Sequence, residues 1–254
     1  MPVRTSSTLE PMLRKLQLWK ELNADEQAAL LALPHKVAKV DAGKYIVREG
    51  DEVSHSCLLL AGFAFRQKIT SNGARSINAI HMPGDVVDLQ NSLLGQADHN
   101  VQALTPVEIA MIPRDAVVDI AFRFPTIGMA MWYDTLVDGS IFREWILNIA
   151  RRDAQQRIAH LLCELGLRLE ALGLGDRGSF ELPMTQEQLA DSTGMTPVHV
   201  NRSLMELESR GLITRTVRYV AVADWENLQR AADFSDTYLH LSDGRGRNAT
   251  QPFQ

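Results

Sequence analysis

"TQEQLADSTGMTPVHVNRSLMELESRGLI", from Thr185 to Ile213, contains two helix starts separated by one tight turn. Thr185 with Gln188 three residues on is the spacing of a capping box. The hydroxyl accepts a bond from a free backbone N–H of the first turn, and the glutamine returns one to the cap. Leu189 and Ala190 point toward a core, and Gly194 suits the left-handed end that glycine adopts cheaply. Thr196 then caps a second helix whose first position is Pro197. The missing proline N–H costs nothing there and its fixed φ is helical, so this proline begins a helix rather than breaking one. Val200, Leu204 and Leu207 form a buried stripe. The other side shows Val198, His199, Asn201, Arg202, Met205 and Glu206. "GLITRTVRYVAV", Gly211 to Val222, adds two β-prone runs. The layout is that of a winged helix-turn-helix.

The exposed residues suit the major groove of duplex DNA. Arg202 has the fork geometry to donate two bonds to a guanine edge; Asn201 can read adenine or bond a phosphate; Val198 can pack on a thymine methyl. Thr196 lies beside free N–H groups that attract phosphate. The expected DNA-facing set is therefore Thr185, Thr196, Pro197, Val198, His199, Asn201 and Arg202, with Arg215 and Arg218 of the hairpin as phosphate contacts. Four arginines stand against Glu206 and Glu208 between Met195 and Val220, so this patch is locally positive in a chain of net charge −5. The competing reading of Arg202 is a solvated helix charge, and of His199 a plain surface histidine. The two caps, the glycine turn and the wing weigh against the former.

Working outward, 254 residues with 45% hydrophobic and 22% charged side chains suit one or two globular domains. No apolar run is long enough to span a bilayer, and "MPVRTSSTLEPML" lacks the apolar core of a secretion signal, so a cytoplasmic setting and no membrane partner are expected. Two cysteines, Cys57 and Cys163, make neither a disulfide framework nor a four-cysteine metal site; both sit in apolar runs and read as core. There is no nucleophile–base pairing, metal-ligand spacing or phosphate loop, so neither an enzyme nor a metal site is expected.

Pro11 to Leu33 has helical periodicity, with Asn23 and Glu26 as a loose capping box. From His35 to Ile112 short apolar runs alternate with turn signals, and Ser71-Asn72-Gly73 marks a hairpin; this is the texture of a barrel or jelly roll. After Pro125 the helical period returns, with two apolar stripes. One holds Ile127, Met131, Ile141, Phe142, Trp145 and Ile149, interrupted by Asp134 and Asp138; the other holds Trp132, Leu136 and Ile146. Such a helix needs two partners, one its own barrel and the other a second copy, and the first stripe is assigned to dimerisation. The competing reading buries the helix within one domain. The expected class is α+β. Helices and a β-roll or jelly-roll sensor domain occupy 1–123, a long dimerisation helix 124–151, a winged helix-turn-helix 152–241, and a disordered polar tail 242–254.

Gly43, Gly50-Asp51, Gly62 and Pro83-Gly84-Asp85, the helix after Pro125, and above all Thr185–Ile213 together resemble the Crp/Fnr superfamily of bacterial transcription regulators, over nearly the whole chain. The resemblance implies a homodimer on a palindromic promoter duplex, half-sites about one helical turn apart, with RNA polymerase as a partner if it activates. Arg202 fits the family's later base-reading arginine, whereas Pro197 and Val198 stand where earlier polar readers usually are. Cyclic-nucleotide binders in the family carry Gly-Glu-Leu after the Pro-Gly-Asp turn and an Arg-Ser or Arg-Thr later. Here Asp88-Leu89-Gln90 and His99-Asn100 lie near those places, so Asp88, Leu89, His99 and Asn100 are the expected ligand-site residues. No arginine lies between Arg75 and Arg114, and burying a phosphate without a cation is costly, so the family's usual cAMP mode is not expected. The absence of cysteine before Cys57 excludes the family's N-terminal iron–sulfur sensor. No cofactor is expected. The alternative is a haem or small-molecule sensor, with His81 or His99 as axial ligand and a winged domain that mainly contacts protein partners.

Overall fold

The computed structural model describes residues 7–241, and the tail expected at 242–254 lies outside the described residues. Two short helices lead, α1 (Glu10–Gln17) and α2 (Ala24–Leu31). The Asn23 side chain accepts from the Glu26 N–H at 3.0 Å, and Glu26 accepts from the Asn23 N–H at 2.8 Å, which closes the box that the spacing predicts.

Seven strands follow: β1 (Lys36–Val40), β2 (Tyr45–Val47), β3 (His55–Ala61), β4 (Ala64–Ile69), β5 (Arg75–His81), β6 (Asn100–Ala103) and β7 (Val107–Pro113). They form two antiparallel sheets, ordered β1-β7-β3 and β2-β6-β4-β5. Val47, Leu59, Ala64, Val101, Val107 and Ile109 pack together as a core drawn from both sheets. Ser71-Asn72-Gly73 is the β4–β5 turn, with Gly73 at φ 86°. A single helical turn, α3 (Asn91–Leu94), bridges β5 and β6.

Helix α4 (Arg114–Arg123) leads into α5 (Pro125–Arg151), 27 residues or about 40 Å long. A Cβ on Gly128 would stand 2.6 Å from the Ala121 carbonyl oxygen, so only glycine permits the two helices to meet this closely.

The dimerisation assignment needs correction. Ile127, Met131, Ile141 and Trp145 are buried inside the protomer. Ile127 and Met131 pack with α1 and α4; Ile141 and Trp145 join the core of the next helix. Ile149 is half-buried against Gly194, and Phe142 alone of the six remains on the surface. The Trp145 indole donates to the buried Glu164 at 2.9 Å, a bond that fixes this stripe to its own chain. The open stripe is the other one: Met129, Trp132, Leu136 and Ile146 are between 44 and 60% exposed. With Gly139 and Arg143 they recur at alternating spacings of three and four.

Helix α6 (Ala154–Ala171) starts from a second complete capping box, Asp153 with Gln156. Strand β8 (Ser179–Glu181), helices α7 (Gln186–Thr193) and α8 (Pro197–Ser209), strands β9 (Ile213–Arg215) and β10 (Tyr219–Val222) and helix α9 (Trp225–Ala232) complete the chain to a short 3-10 turn, Thr237–Leu239. The last sheet is antiparallel, ordered β8-β10-β9.

Candidate nucleic-acid interface and sensor cleft

Each helix of the α7–α8 pair is set by its own cap. The Thr185 hydroxyl accepts from the Gln188 N–H at 3.2 Å, and Gln188 accepts from the Thr185 N–H at 2.8 Å. Gly194 ends α7 at φ 65°. The Thr196 hydroxyl accepts from the His199 N–H at 3.4 Å, with Pro197 in the first helical position. Arg157, which sequence reasoning passed over, and Ile149, which it assigned to the dimer seam, hold the turn from beneath. Arg157 of α6 donates to the Thr193 carbonyl at 3.1 Å, and Ile149 of α5 stands 3.0 Å from where a Cβ on Gly194 would be.

Val200, Leu204 and Leu207 are buried, which seats α8 on α6 and α7. Thr185, Thr196, Pro197, Val198, His199, Asn201 and Arg202 are all exposed. They lie on one surface beside the wing, whose tip residue Val217 is fully exposed. Arg202 and Arg218 have no ion pair or side-chain hydrogen bond among the described residues. Arg215 is different: it donates to Glu208 at 2.7 Å and is half-buried. That bond holds the Glu208 carboxyl below its ordinary range. The expectation that Arg215 is a free phosphate contact is therefore corrected: it braces the base of the wing on α8.

The four expected ligand residues are not brought together. Asp88 is buried and accepts from the Cys57 N–H at 2.8 Å; burial pushes its carboxyl up to about 7. Asn100 accepts from the Glu49 N–H at 3.1 Å. Both are committed to the backbone, which corrects their assignment. Leu89 and His99 do border open space, His99 with its Nδ1 2.6 Å from Asp98 and its Nε2 3.5 Å from Gln90. His81 is buried with its Nδ1 3.7 Å from Asp85. Cys57 and Cys163 are buried, and burial raises both thiols.

What fills the space between the β-roll and α5 is a chain of buried charges that local spacing did not reveal. Lys15 of α1 lies 2.7 Å from Asp85 and 3.6 Å from Asp134. Asp85 is also 3.4 Å from Arg168 of α6, which donates to the Ile80 carbonyl at 2.9 Å and pairs with Glu164 at 3.3 Å. Burial opposes ionisation of Asp85, but Lys15, His81 and Arg168 outweigh it and hold the carboxyl well below its usual range. At Glu164 burial wins over Arg168, Trp145 and Tyr238, and its carboxyl is raised. Arg66 of β4, which precedes the arginine-free interval between Arg75 and Arg114, pairs with Asp138 of α5 at 2.9 Å and donates to Asn78 at 3.1 Å. The space among these groups is about 40 Å³, room for a water or so. A wider cleft of about 450 Å³ opens beside it, bordered by Arg66, Lys68, Asn78, Gln90, His99 and Phe142.

A β-roll carried by a long helix onto a winged helix-turn-helix, with an exposed capped recognition helix, defines a DNA-binding transcription regulator. Residues 37–124 match the cyclic nucleotide-binding domain family and residues 156–231 the Crp-like helix-turn-helix domain. The chain belongs to the Crp/Fnr superfamily. It is 27% identical over 216 residues to the transcriptional activator protein FnrL of Cereibacter sphaeroides, covering 83% of this chain and 86% of that one. It is 24% identical to the fumarate and nitrate reduction regulatory protein of Escherichia coli (strain K12), covering 83% and 84%. Its fold is similar to that of FixK2 from Bradyrhizobium japonicum, with a TM-score of 0.72 at 22% identity over 78% of this chain and 98% of that one. No helix among the described residues is long and apolar enough to cross a membrane.

Proposed function

We propose that the protein is a cytoplasmic homodimer that reads a palindromic promoter site, one α8 per half-site about one helical turn apart. The observation that carries this reading is the open face of α8. Arg202 and Asn201 project beside a free helix N-terminus at Thr196, with Arg218 on the wing at the same surface. Arg202 is the proposed base reader; Val198, Asn201 and His199 flank it; Thr185, Thr196 and Arg218 take phosphates. The dimer seam is the open stripe of α5, Met129, Trp132, Leu136, Gly139, Arg143 and Ile146. Its alternating spacing is that of a coiled coil, and its four large apolar side chains are otherwise left in water. If the protein activates, RNA polymerase is its further partner.

Control is by a signal other than the family's usual cAMP mode. Arg66, which borders the cleft, is taken by Asp138, and Asp88 is turned to the Cys57 N–H. The signal acts at the cleft between β4, β5 and α5, and shifts the population of dimer geometries that fit the duplex.

The test is selection from randomised duplexes by the full chain, followed by fluorescence anisotropy on the recovered sequence and light scattering on the free protein. An inverted repeat bound by a dimer supports the proposal. Recovery of no sequence preference by a well-folded dimer overturns it.

A further inference from the structure

The helix-turn-helix match ends at residue 231, yet residues 232–241 are folded back onto the rest of the protein. Asp233 closes α9 at φ 49° and His240 follows the 3-10 turn at φ 53°. Non-glycine residues in this region cost on the order of 1 kcal/mol each, so contacts between them must hold the segment in place.

Those contacts reach four parts of the molecule. The Asp233 carbonyl accepts from Arg152 at 3.0 Å. Arg152 is the extended residue between α5 and α6, and it is buried, with Glu144 2.7 Å away. The Tyr238 hydroxyl donates to Glu164 of α6 at 2.9 Å. The rings of Phe234 and Tyr238 lie 5.0 and 5.8 Å from that of His160, which burial, helped by Arg152, keeps neutral by pushing it down to about 3. Leu239 is buried, and with Leu241 it borders a small cavity shared with Leu18, Trp19, Val137 and Ile141. The His240 ring meets Tyr133 of α5 edge-on at 6.2 Å.

We infer that residues 233–241 form a strap that positions the winged domain against the long helix and the N-terminal helices, and so sets the spacing of the two recognition helices in the dimer. This rests on the dimeric DNA-reading function proposed above. The strap works by orientation and not by cover, because its contacts are with α5, α6 and the N-terminal helices while Val198, Asn201 and Arg202 stay exposed.

The test compares the full chain, a chain ending at Leu241 and a chain ending at Ala232. A Tyr238→Phe/Leu239→Ser variant of the full chain is added in case the shorter chain does not fold. The first readout is hydrogen exchange over residues 150–156. The second is anisotropy on a selected inverted-repeat duplex and on the same duplex with one half scrambled. The chain ending at Leu241 should match the full chain. Loss of the strap should speed exchange at 150–156 by about tenfold or more while α8 keeps its protection. It should weaken the two-site duplex about tenfold and the single half-site less than about twofold, since only a shared geometry has been lost. Unchanged exchange at the junction overturns the strap. Equal weakening of both duplexes overturns its positioning role. If no duplex is bound by the full chain the DNA reading fails, and the exchange result still decides the strap.

Discussion

Arg75, the first residue of β5, lies 2.6 Å from the carboxylate of Asp191 in α7, with Glu187 a further 3.9 Å partner. A hairpin of the β-roll thus grips the helix that supports the recognition helix. Both side chains are only partly exposed, so the pair is worth about 1 kcal/mol. A double-mutant cycle with Arg75→Ala and Asp191→Ala, followed by urea unfolding, should return a coupling near that size. Additive effects would mean that the contact carries no energy.

Removing the proposed base reader and the proposed phosphate contact should have different signatures. Arg202→Ala is expected to cost about 1–3 kcal/mol on the selected site and to relax preference at one base pair per half-site. Arg218→Ala should weaken all sequences alike and lower the salt slope by about one per protomer. Anisotropy titrations at several salt concentrations on matched and scrambled duplexes separate the two.

The caps of the recognition unit should be measurable as stability. Thr196→Ala removes the acceptor for the His199 N–H and should cost about 1 kcal/mol. Gly194→Ala forces a side chain into a left-handed residue 3.0 Å from Ile149 and should cost about 1–2 kcal/mol. Thermal and urea unfolding check both, and Thr185→Ala serves as the comparison at the other cap.

On α5 the two stripes should respond oppositely to substitution. Leu136→Glu or Ile146→Glu should yield a folded monomer by light scattering and abolish two-site binding. Trp145→Phe should destabilise each protomer, because Glu164 loses its indole donor, while leaving the chain dimeric.

Asp88 gives a signed dependence on pH. Its carboxyl is raised from 3.8 to about 7 in the folded protein by burial. The folded state therefore holds a proton that the unfolded chain has already released. The associated stability is complete below about pH 4 and is lost as pH rises toward 7. Asp88→Asn keeps an acceptor for the Cys57 N–H without the charge. It should flatten that part of the pH profile and be more stable than the parent at pH 8, by urea unfolding at pH 5 and 8.

How much of this was legible in the sequence follows from how local each signal is. Thr185 with Gln188, Asn23 with Glu26, and Thr196 before Pro197 are decided within four residues, and the structure forms each of these starts. The choice between the Trp132 and Trp145 stripes was not local. Both are apolar at helical spacing, and only the position of Glu164 on α6 determines which indole turns inward. The buried charges escaped for the same reason: Lys15, Asp85, Asp134 and Arg168 come from four separate segments and meet only after folding. Arg66 lies outside the arginine-free interval between Arg75 and Arg114, and only the folding of β4 against α5 brings it to the cleft, where Asp138 pairs with it.

The uninterrupted length of α5 has a mechanical consequence. A rod of ~40 Å turns one degree of tilt into roughly 0.7 Å of travel at its far end. Ile127 sits at one end beside the first helices, and Ile149 at the other rests beneath the Gly194 turn. On the proposed mechanism the helix is a lever: a tilt about its Ile127 end moves the Gly194 turn about twice as far as it moves the cleft wall at Asp138.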